Sequence, residues 1–236
     1  MKLSFIIPAY NEEDFIVSTL SAIHASAGEY PYEVIVVDNN SDDKTAELAE
    51  SNNALVVKES VNQISRARNA GAKASTGDIL IFIDADTSIS APLVTETVQA
   101  LNSGQVAGGG TLLELDCYPK RGDQLISITW NAISRISNHA AGAYIYCLRQ
   151  AFEETGGFDE EVYVAEDVMF SRSLKKWAKK NKKIFKILKT PVVTSARKLQ
   201  WYSRFHILKS VLKVLLKPDG FRSKDKPSFW YKKPKK

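Results

Sequence analysis

The sequence predicts an α/β fold in which a doubly wound, mostly parallel central sheet is flanked by helices. Three observations carry this. Short apolar runs alternate with helix-like segments through the first hundred residues. Runs such as Val34–Val37 and Ile79–Ile83 are apolar throughout rather than at every second residue, which marks strands covered on both faces. Three strands end in polar clusters, Pro8-Ala-Tyr-Asn-Glu12, Asp38-Asn-Asn-Ser41 and Asp84-Ala-Asp86. In such a sheet, ligands bind beyond the carboxyl ends of the strands, so the three clusters are expected to meet in one crevice.

The elements follow in order. Leu3–Ile7 is a short run rich in β-branched residues and stopped by Pro8, a strand signature. Residues 12–27 carry helical spacing, with Phe15, Leu20 and Ile23 among the apolar positions. Val34–Val37 is a second strand. Ser41 or Asp42 is placed to cap a helix over 44–51, because a short side-chain oxygen satisfies the free amides at a helix start. Residues 54–57 form a third strand, 65–74 a helix closed by Gly77, 79–83 a fourth strand and 92–101 a further helix. Beyond Gly108-Gly-Gly110 the pattern loosens. Residues 143–148 read as another strand, 152–157 as a short helix and turn, and 167–181 as a helix ending in lysines. Residues 217–236 are rich in Lys and Pro and are expected to be poorly ordered alone.

At 236 residues and 44% hydrophobic, the chain can bury a substantial core. Its two cysteines, Cys117 and Cys147, match neither a CxxC metal pattern nor a disulfide-dense one, which favours a reduced, cytoplasmic setting. Pro8 and Asn11 arrive too early for a signal peptide, and there is no apolar run long enough to cross a bilayer. The net charge of +5 conceals an asymmetry. From Arg172 onward there are 22 Lys/Arg and 2 Asp/Glu, a net of +20; the remainder carries 10 and 25, a net of −15. A split of this kind points to a tail that meets an anionic surface.

The carboxylates carry the chemistry. Asp84 and Asp86 flank a small residue after an apolar strand, and two carboxylates so close repel unless a cation lies between them or only one faces the site. Mn2+ and Mg2+ prefer oxygen ligands and commonly take one or two carboxylates plus substrate phosphates. An isolated DxD is also common in turns and caps, so its position at a strand end is what strengthens it. Asp38 is either a turn aspartate or an acceptor for a nucleobase or ribose. Arg66, Arg68 and Asn69 are either a solvated helix face or phosphate and ribose contacts, for which a guanidinium fork is suited. Asp167 either caps the helix that follows or serves as a general base, with Glu166 beside it.

Taken together, Ser4-Phe-Ile-Ile-Pro-Ala-Tyr-Asn-Glu-Glu13, Val34-Ile-Val-Val-Asp-Asn-Asn-Ser-Asp-Asp43, Arg66-Ala-Arg-Asn-Ala-Gly71, Gly77–Asp86 and Gly156-Gly-Phe-Asp-Glu160 followed by Ala165-Glu-Asp167 occur in the order seen in family 2 glycosyltransferases. Over about residues 1–200 the chain resembles that family. The resemblance implies a GT-A fold, with a Rossmann-like nucleotide-sugar-binding half (1–110), an acceptor half (111–200) and a basic tail (201–236). It implies inverting, single-displacement transfer from a nucleoside-diphosphate sugar, UDP-linked first and GDP-mannose next, to an acceptor hydroxyl. On this resemblance Pro8, Ala9, Tyr10 and Glu12 line the nucleoside, Asp38 pairs with the base, and Arg66 lies near base or diphosphate. Asp84 serves ribose and metal, Asp86 ligates Mn2+ or Mg2+ directly, and Asp167 is the base. Members often add a C-terminal histidine ligand; His24, His139 and His206 offer no supported candidate, and Thr194-Ser-Ala-Arg197 is an alternative donor-side contact.

Residues 201–217 place Trp201, Phe205, Leu208, Leu212 and Leu215 on one helical face and Lys209, Lys213 and Lys217 on the other. That pattern fits an interfacial helix on an anionic membrane, and equally a helix that packs on the domain or on a second subunit. It makes a glycan or lipid-linked acceptor and a peripheral location on the inner membrane face the expectation. A sugar-nucleotide nucleotidyltransferase would bring a Gly-rich, lysine-bearing loop where Ala9–Glu13 stands. A nucleic-acid-binding protein acting through the tail would leave the carboxylate pairs unexplained, so nucleic acid is a weak partner candidate.

Overall fold

A computed structural model describes residues 1–117, 124–137 and 140–197. Fifteen elements are assigned: β1 (Leu3–Ala9), α1 (Ile16–Ser26), β2 (Tyr32–Asp38), α2 (Thr45–Ser51), β3 (Leu55–Lys58), α3 (Ile64–Ala74), β4 (Ile79–Ile83), β5 (Thr87–Ser88), α4 (Ala91–Asn102), β6 (Val106–Leu115), α5 (Gln124–Ser137), β7 (Tyr144–Leu148), α6 (Arg149–Thr155), α7 (Glu166–Lys180) and β8 (Ile184–Thr194). Among the described residues the strands form one eight-stranded sheet in the order β3-β2-β1-β4-β7-β6-β8-β5. The expected α/β architecture is present, and its first four strands are all parallel. β7 then enters antiparallel to both β4 and β6, while β8 runs parallel to β6 and pairs antiparallel with β5.

The uniformly apolar strands have a simple cause. Alternate side chains point to opposite faces, and both faces are covered. Leu3, Phe5 and Ile7 pack with Ile16, Leu20 and Ile23 of α1 and Leu93, Val94 and Val98 of α4. Ile6, Ile35, Val37 and Phe82 pack on the other side with Ala67 and Ala72 of α3, Phe152 of α6 and Phe170 and Trp177 of α7. Burying one such aliphatic or aromatic side chain stabilises by about 1.5–3 kcal/mol, so both faces are strongly specified. Ser4 is the polar exception on β1: fully buried, it donates to Glu33 Oε1 at 2.6 Å and accepts from the Gly77 amide at 2.9 Å.

Pro8 interrupts a central strand without cost. The β1–β4 pairing ends at Ile6↔Phe82, whereas β1–β2 continues to Ala9↔Asp38. A residue lacking an N–H therefore sits past the last rung on the β4 side. The result is a shared edge at which Ala9, Asp38 and Asp84 end their strands or follow them.

Several parts depart from the sequence reading, which expected neither α5 nor β5 nor most of β8. Where the pattern loosens, β6 runs for ten residues through the glycine triplet. A Cβ on Gly109 would lie 1.8 Å from the Lys186 carbonyl oxygen and 3.0 Å from the Tyr146 hydroxyl, so the missing side chain is what lets β8 and the tyrosine of β7 close in. At the start of α2 neither Ser41 nor Asp42 is the cap: the cap residue is Lys44, and Asp43 Oδ1, one residue earlier, accepts from the Thr45 amide at 2.9 Å. Ser41 and Asp42 instead tie this turn to the one after β1. The Ser41 hydroxyl accepts from the Asn11 amide at 3.1 Å, and the Asp42 amide donates to Asn11 Oδ1 at 2.9 Å. Asn11 holds φ at 55°, a left-handed conformation that asparagine tolerates better than most residues.

Candidate functional site

The residues that end β1, β2 and β4 fall on the carboxyl edge of one parallel unit. Ala9 is buried, Pro8 is part-exposed and Tyr10 is exposed at 38%. Asp38, 7% exposed, accepts the Ser41 amide at 3.0 Å on Oδ1. Its neighbour Asn39 stitches the next loop in place, donating to the Glu59 and Val61 carbonyls at 3.0 and 2.7 Å and accepting the Gln63 amide at 2.8 Å. Gln63 in turn donates to the Glu160 and Val162 carbonyls at 2.6 and 3.1 Å. The approach to the Glu166-Asp167 pair is thereby bound to the start of α3.

Arg66 and Arg68, two residues apart on α3, point to different places because a helix turns about 100° per residue. Arg66, its side chain 37% exposed, lies against Glu160 at 2.8 Å and Glu59 at 3.5 Å on the rim. Arg68, with its side chain 1% exposed, joins the carboxylates of two distant segments. Its Nη1 donates to Glu166 Oε1 at 2.8 Å, and its Nη2 donates to Asp84 Oδ1 and to the Gly142 carbonyl, each at 3.1 Å. The guanidinium also lies over the Phe158 ring, 5.1 Å from its centroid. Burial alone would favour the neutral arginine, but the charges of Glu166, Asp84 and Asp167 outweigh it and hold Arg68 firmly protonated. A Cβ on Gly142 would come within 3.1 Å of Arg68 Nη2 and 3.3 Å of Asp167 Oδ2, so a side chain here would press on both groups.

Glu166 and Asp167 open α7, whose preceding residue Ala165 holds φ at 66°. A β-carbon is unfavourable in that conformation, by about 1–2 kcal/mol. The turn therefore stores strain where the carboxylates are presented. Glu166 is buried and committed to Arg68. Asp167 Oδ1 accepts the Val168 amide at 2.7 Å. Burial first, and the adjacent Glu166 charge second, push the Asp167 carboxyl up to about 7 against the opposing pull of Arg68.

Asp86 meets a second arginine. Asp116 Oδ1 accepts the Ala196 amide at 2.9 Å and the Asp86 carbonyl accepts the Ser195 amide at 3.2 Å, fixing the chain after β8 beside the β4–β5 turn. Arg197 Nη1 and Nη2 then bind Glu12 Oε2 and Oε1 at 2.7 and 2.5 Å, and Nη2 also reaches Asp86 Oδ2 at 3.0 Å. The guanidinium lies 4.7 Å from the Phe15 ring centroid. Glu12, placed by the sequence reading beside the nucleoside, thus faces Asp86 across a cation. Burial raises its carboxyl, as do Asp86 and Asp84, against the lowering effect of Arg197.

Five carboxylates, Glu12, Asp84, Asp86, Glu166 and Asp167, therefore meet two guanidinium groups. The cleft keeps an excess of negative charge suited to a divalent cation. Among the described residues no group of three or more His, Cys, Asp or Glu is arranged to hold a metal by itself. His24 is elsewhere, between the Tyr32 hydroxyl and the Asn52 carbonyl at 3.0 Å each; His139, His206 and the whole 201–236 segment lie outside the described residues. Asp84 and Asp86 fit Mn2+ or Mg2+ as a partial donor set, one that the oxygens of a bound diphosphate would complete.

The sequence reading grouped Arg68 with Arg66 and gave the donor to Arg66. The signal for Arg68 was available: Ala67, Gly71 and Ala72 mark the sheet-facing side of α3, and Arg68 stands among them. The links through Asn39, Gln63 and Asp116 had no sequence signal, because each depends on chain segments brought together only by folding.

Residues 4–113 match the sequence family described as Glycosyl transferase family 2. Over 185 residues the chain is 28% identical to the glycosyltransferase AglE of Haloferax volcanii, covering 72% of this chain and 60% of that protein. The chain thus spans less than two thirds of that relative's length. Among solved structures, a mannosyltransferase from Pyrobaculum calidifontis, in complex with GDP-Man and Mn2+, aligns with a TM-score of 0.66 and 22% identity over 97% of this chain and 66% of its own. Glucosyl-3-phosphoglycerate synthase from Mycobacterium tuberculosis, in complex with Mn2+, UDP and glucosyl-3-phosphoglycerate, aligns with a TM-score of 0.66 and 19% identity over 94% and 81%. These likenesses establish the GT-A fold.

Proposed function

We propose, from the match of residues 4–113 to glycosyl transferase family 2, that the chain is a member of that family and moves a sugar from a nucleoside-diphosphate donor to an acceptor hydroxyl with inversion. The observation that carries the reading is the Arg68 bridge. It draws Asp84, at the end of β4, and Glu166, at the start of α7, onto one guanidinium, which brings a donor-side carboxylate pair and an acceptor-side carboxylate pair to one cleft.

In this reading Pro8, Ala9, Tyr10 and Asp38 receive the nucleoside, and Arg66 supplies a cation at the rim. Asp86 and Asp84 would hold Mn2+ or Mg2+, which would supply positive charge to a departing diphosphate. Asp167 takes the proton of the attacking hydroxyl, for which a carboxyl near 7 is better matched at neutral pH than an ordinary one. Glu166, held by Arg68, keeps the pair in place and repels a second negative charge. UDP-linked sugars are the first donors to try and GDP-mannose the next. The acceptor is a glycan or is lipid-linked, the basic tail supporting the lipid-linked one.

The test is thermal stabilisation by UDP and GDP with and without Mn2+, since a ligand that binds only the folded state stabilises by about 2.7 kcal/mol at 100 times its Kd. At least one nucleoside diphosphate should stabilise the protein in a Mn2+-dependent manner, and Asp86→Ala should abolish the Mn2+ dependence. No stabilisation by either nucleotide would overturn the reading.

A further inference from the structure

Arg197 stands where the charge balance needs a cation before any metal arrives. It is bidentate on Glu12 and within 3.0 Å of Asp86 Oδ2, so it occupies an oxygen that a metal on Asp86 would want. It comes from beyond β8, and no carboxylate is its neighbour in sequence, so nothing local requires it to be there. The charges of Glu12, Asp86 and Asp84 outweigh its burial and keep it protonated throughout the physiological range. Its fork suits a diphosphate as well as a carboxylate.

Resting on the donor reading above, we propose that Arg197 is an exchangeable cation of the donor site. Without donor it neutralises Glu12 and Asp86. With donor it gives up Asp86 Oδ2 to the divalent ion and turns its Nη2 toward the diphosphate, while Nη1 stays on Glu12. Glu12 is then the arm that aims Arg197, and not a nucleoside contact. Metal and nucleotide become interdependent, because each makes room for the other at one guanidinium, and such coupling is reciprocal.

The experiment measures Mn2+ binding by electron paramagnetic resonance of free Mn2+, with and without UDP or GDP, in the full chain and in Arg197→Gln and Arg197→Lys. In Arg197→Gln, Mn2+ binding without nucleotide should tighten on the order of tenfold, the scale of one charged hydrogen bond released from Asp86. UDP or GDP binding should weaken by a similar factor, and the ratio of Mn2+ affinities with and without nucleotide should fall toward one. Arg197→Lys, which keeps the charge but not the fork, should recover part of that ratio. A purely structural role would lower the amount of folded protein while leaving this ratio as in the parent, and an unchanged ratio overturns the proposal. Absence of any nucleotide binding by the parent protein is a separate result, which removes the donor reading and the inference with it.

Discussion

Asp167 has two pH signatures that can be separated. Its folded carboxyl is raised to about 7, from an ordinary value near 4, by burial and by Glu166. A raised acid binds its proton more tightly when folded. Its stabilising contribution is therefore complete below about 4 and is lost as pH climbs through about 7. Urea denaturation between pH 4 and 8 should show this decline, and Asp167→Asn should flatten it. Transfer runs the other way: a base must be ionised, so kcat/KM should rise through pH 7 and level off above it. Asp167→Asn should keep nucleotide binding while losing about 100- to 10,000-fold in turnover, the usual contribution of a positioned base. Normal turnover in that variant removes the assignment. Sequence spacing left capping and catalysis equally open here. The cap position falls to Ala165, with Asp167 inside the first turn of α7; burial and the Glu166 charge support the base reading that the variant tests, and no linear pattern encodes any of these.

Helix α3 is the element that binds the two halves of the cleft. Its sheet side carries Ala67, Arg68, Gly71 and Ala72, and the charge rides in on an otherwise apolar contact. Removing one partner of a buried ion pair leaves an uncompensated charge, which costs about 3–5 kcal/mol. Arg68→Ala should therefore lower stability by that amount and abolish transfer, because Glu166 and Asp84 would repel with nothing between them. Arg66→Ala, on the rim, should cost under about 1 kcal/mol, the range of exposed ion pairs. Paired denaturation curves decide it; similar losses from both would mean that α3 does not discriminate its two arginines as described. β1, β2 and β4 with α1, α3 and α4 were legible because each buries a continuous or periodic apolar set, and β3 by its apolar run alone, since Leu55 is 54% exposed. β6 was not, because glycines at 108–110 remove the side chains by which a strand is read, and the reason for them lies across the sheet in Tyr146 and Lys186.

Across the whole molecule the charge is divided, net −15 before Arg172 and net +20 from there on. Part of the basic half is placed: Arg197 closes on the acidic cleft, while lysines such as Lys179 and Lys180 end α7 and suit the negative end of its dipole. No helix among the described residues is long and apolar enough to cross a membrane. The remaining cations of residues 201–236, with Trp201, Trp230 and Tyr231 among them, lie outside the described residues. A cation near an anionic leaflet contributes about 1 kcal/mol, and this falls off within a Debye length of about 8 Å at physiological salt. If the tail carries the catalytic domain to a lipid-linked acceptor, the protein should sediment with vesicles containing phosphatidylserine and not with neutral ones. Raising salt from 0.1 M to about 1 M should release it, and a chain ending at residue 200 should stay in solution while keeping Mn2+-dependent nucleotide binding. Retention of vesicle binding by the shortened chain would move the contact to the domain surface, where Leu125 and Ile128 of α5 are 63% and 60% exposed. Vesicle binding by neither chain would leave the cleft chemistry intact and point to an acceptor that meets the enzyme in solution.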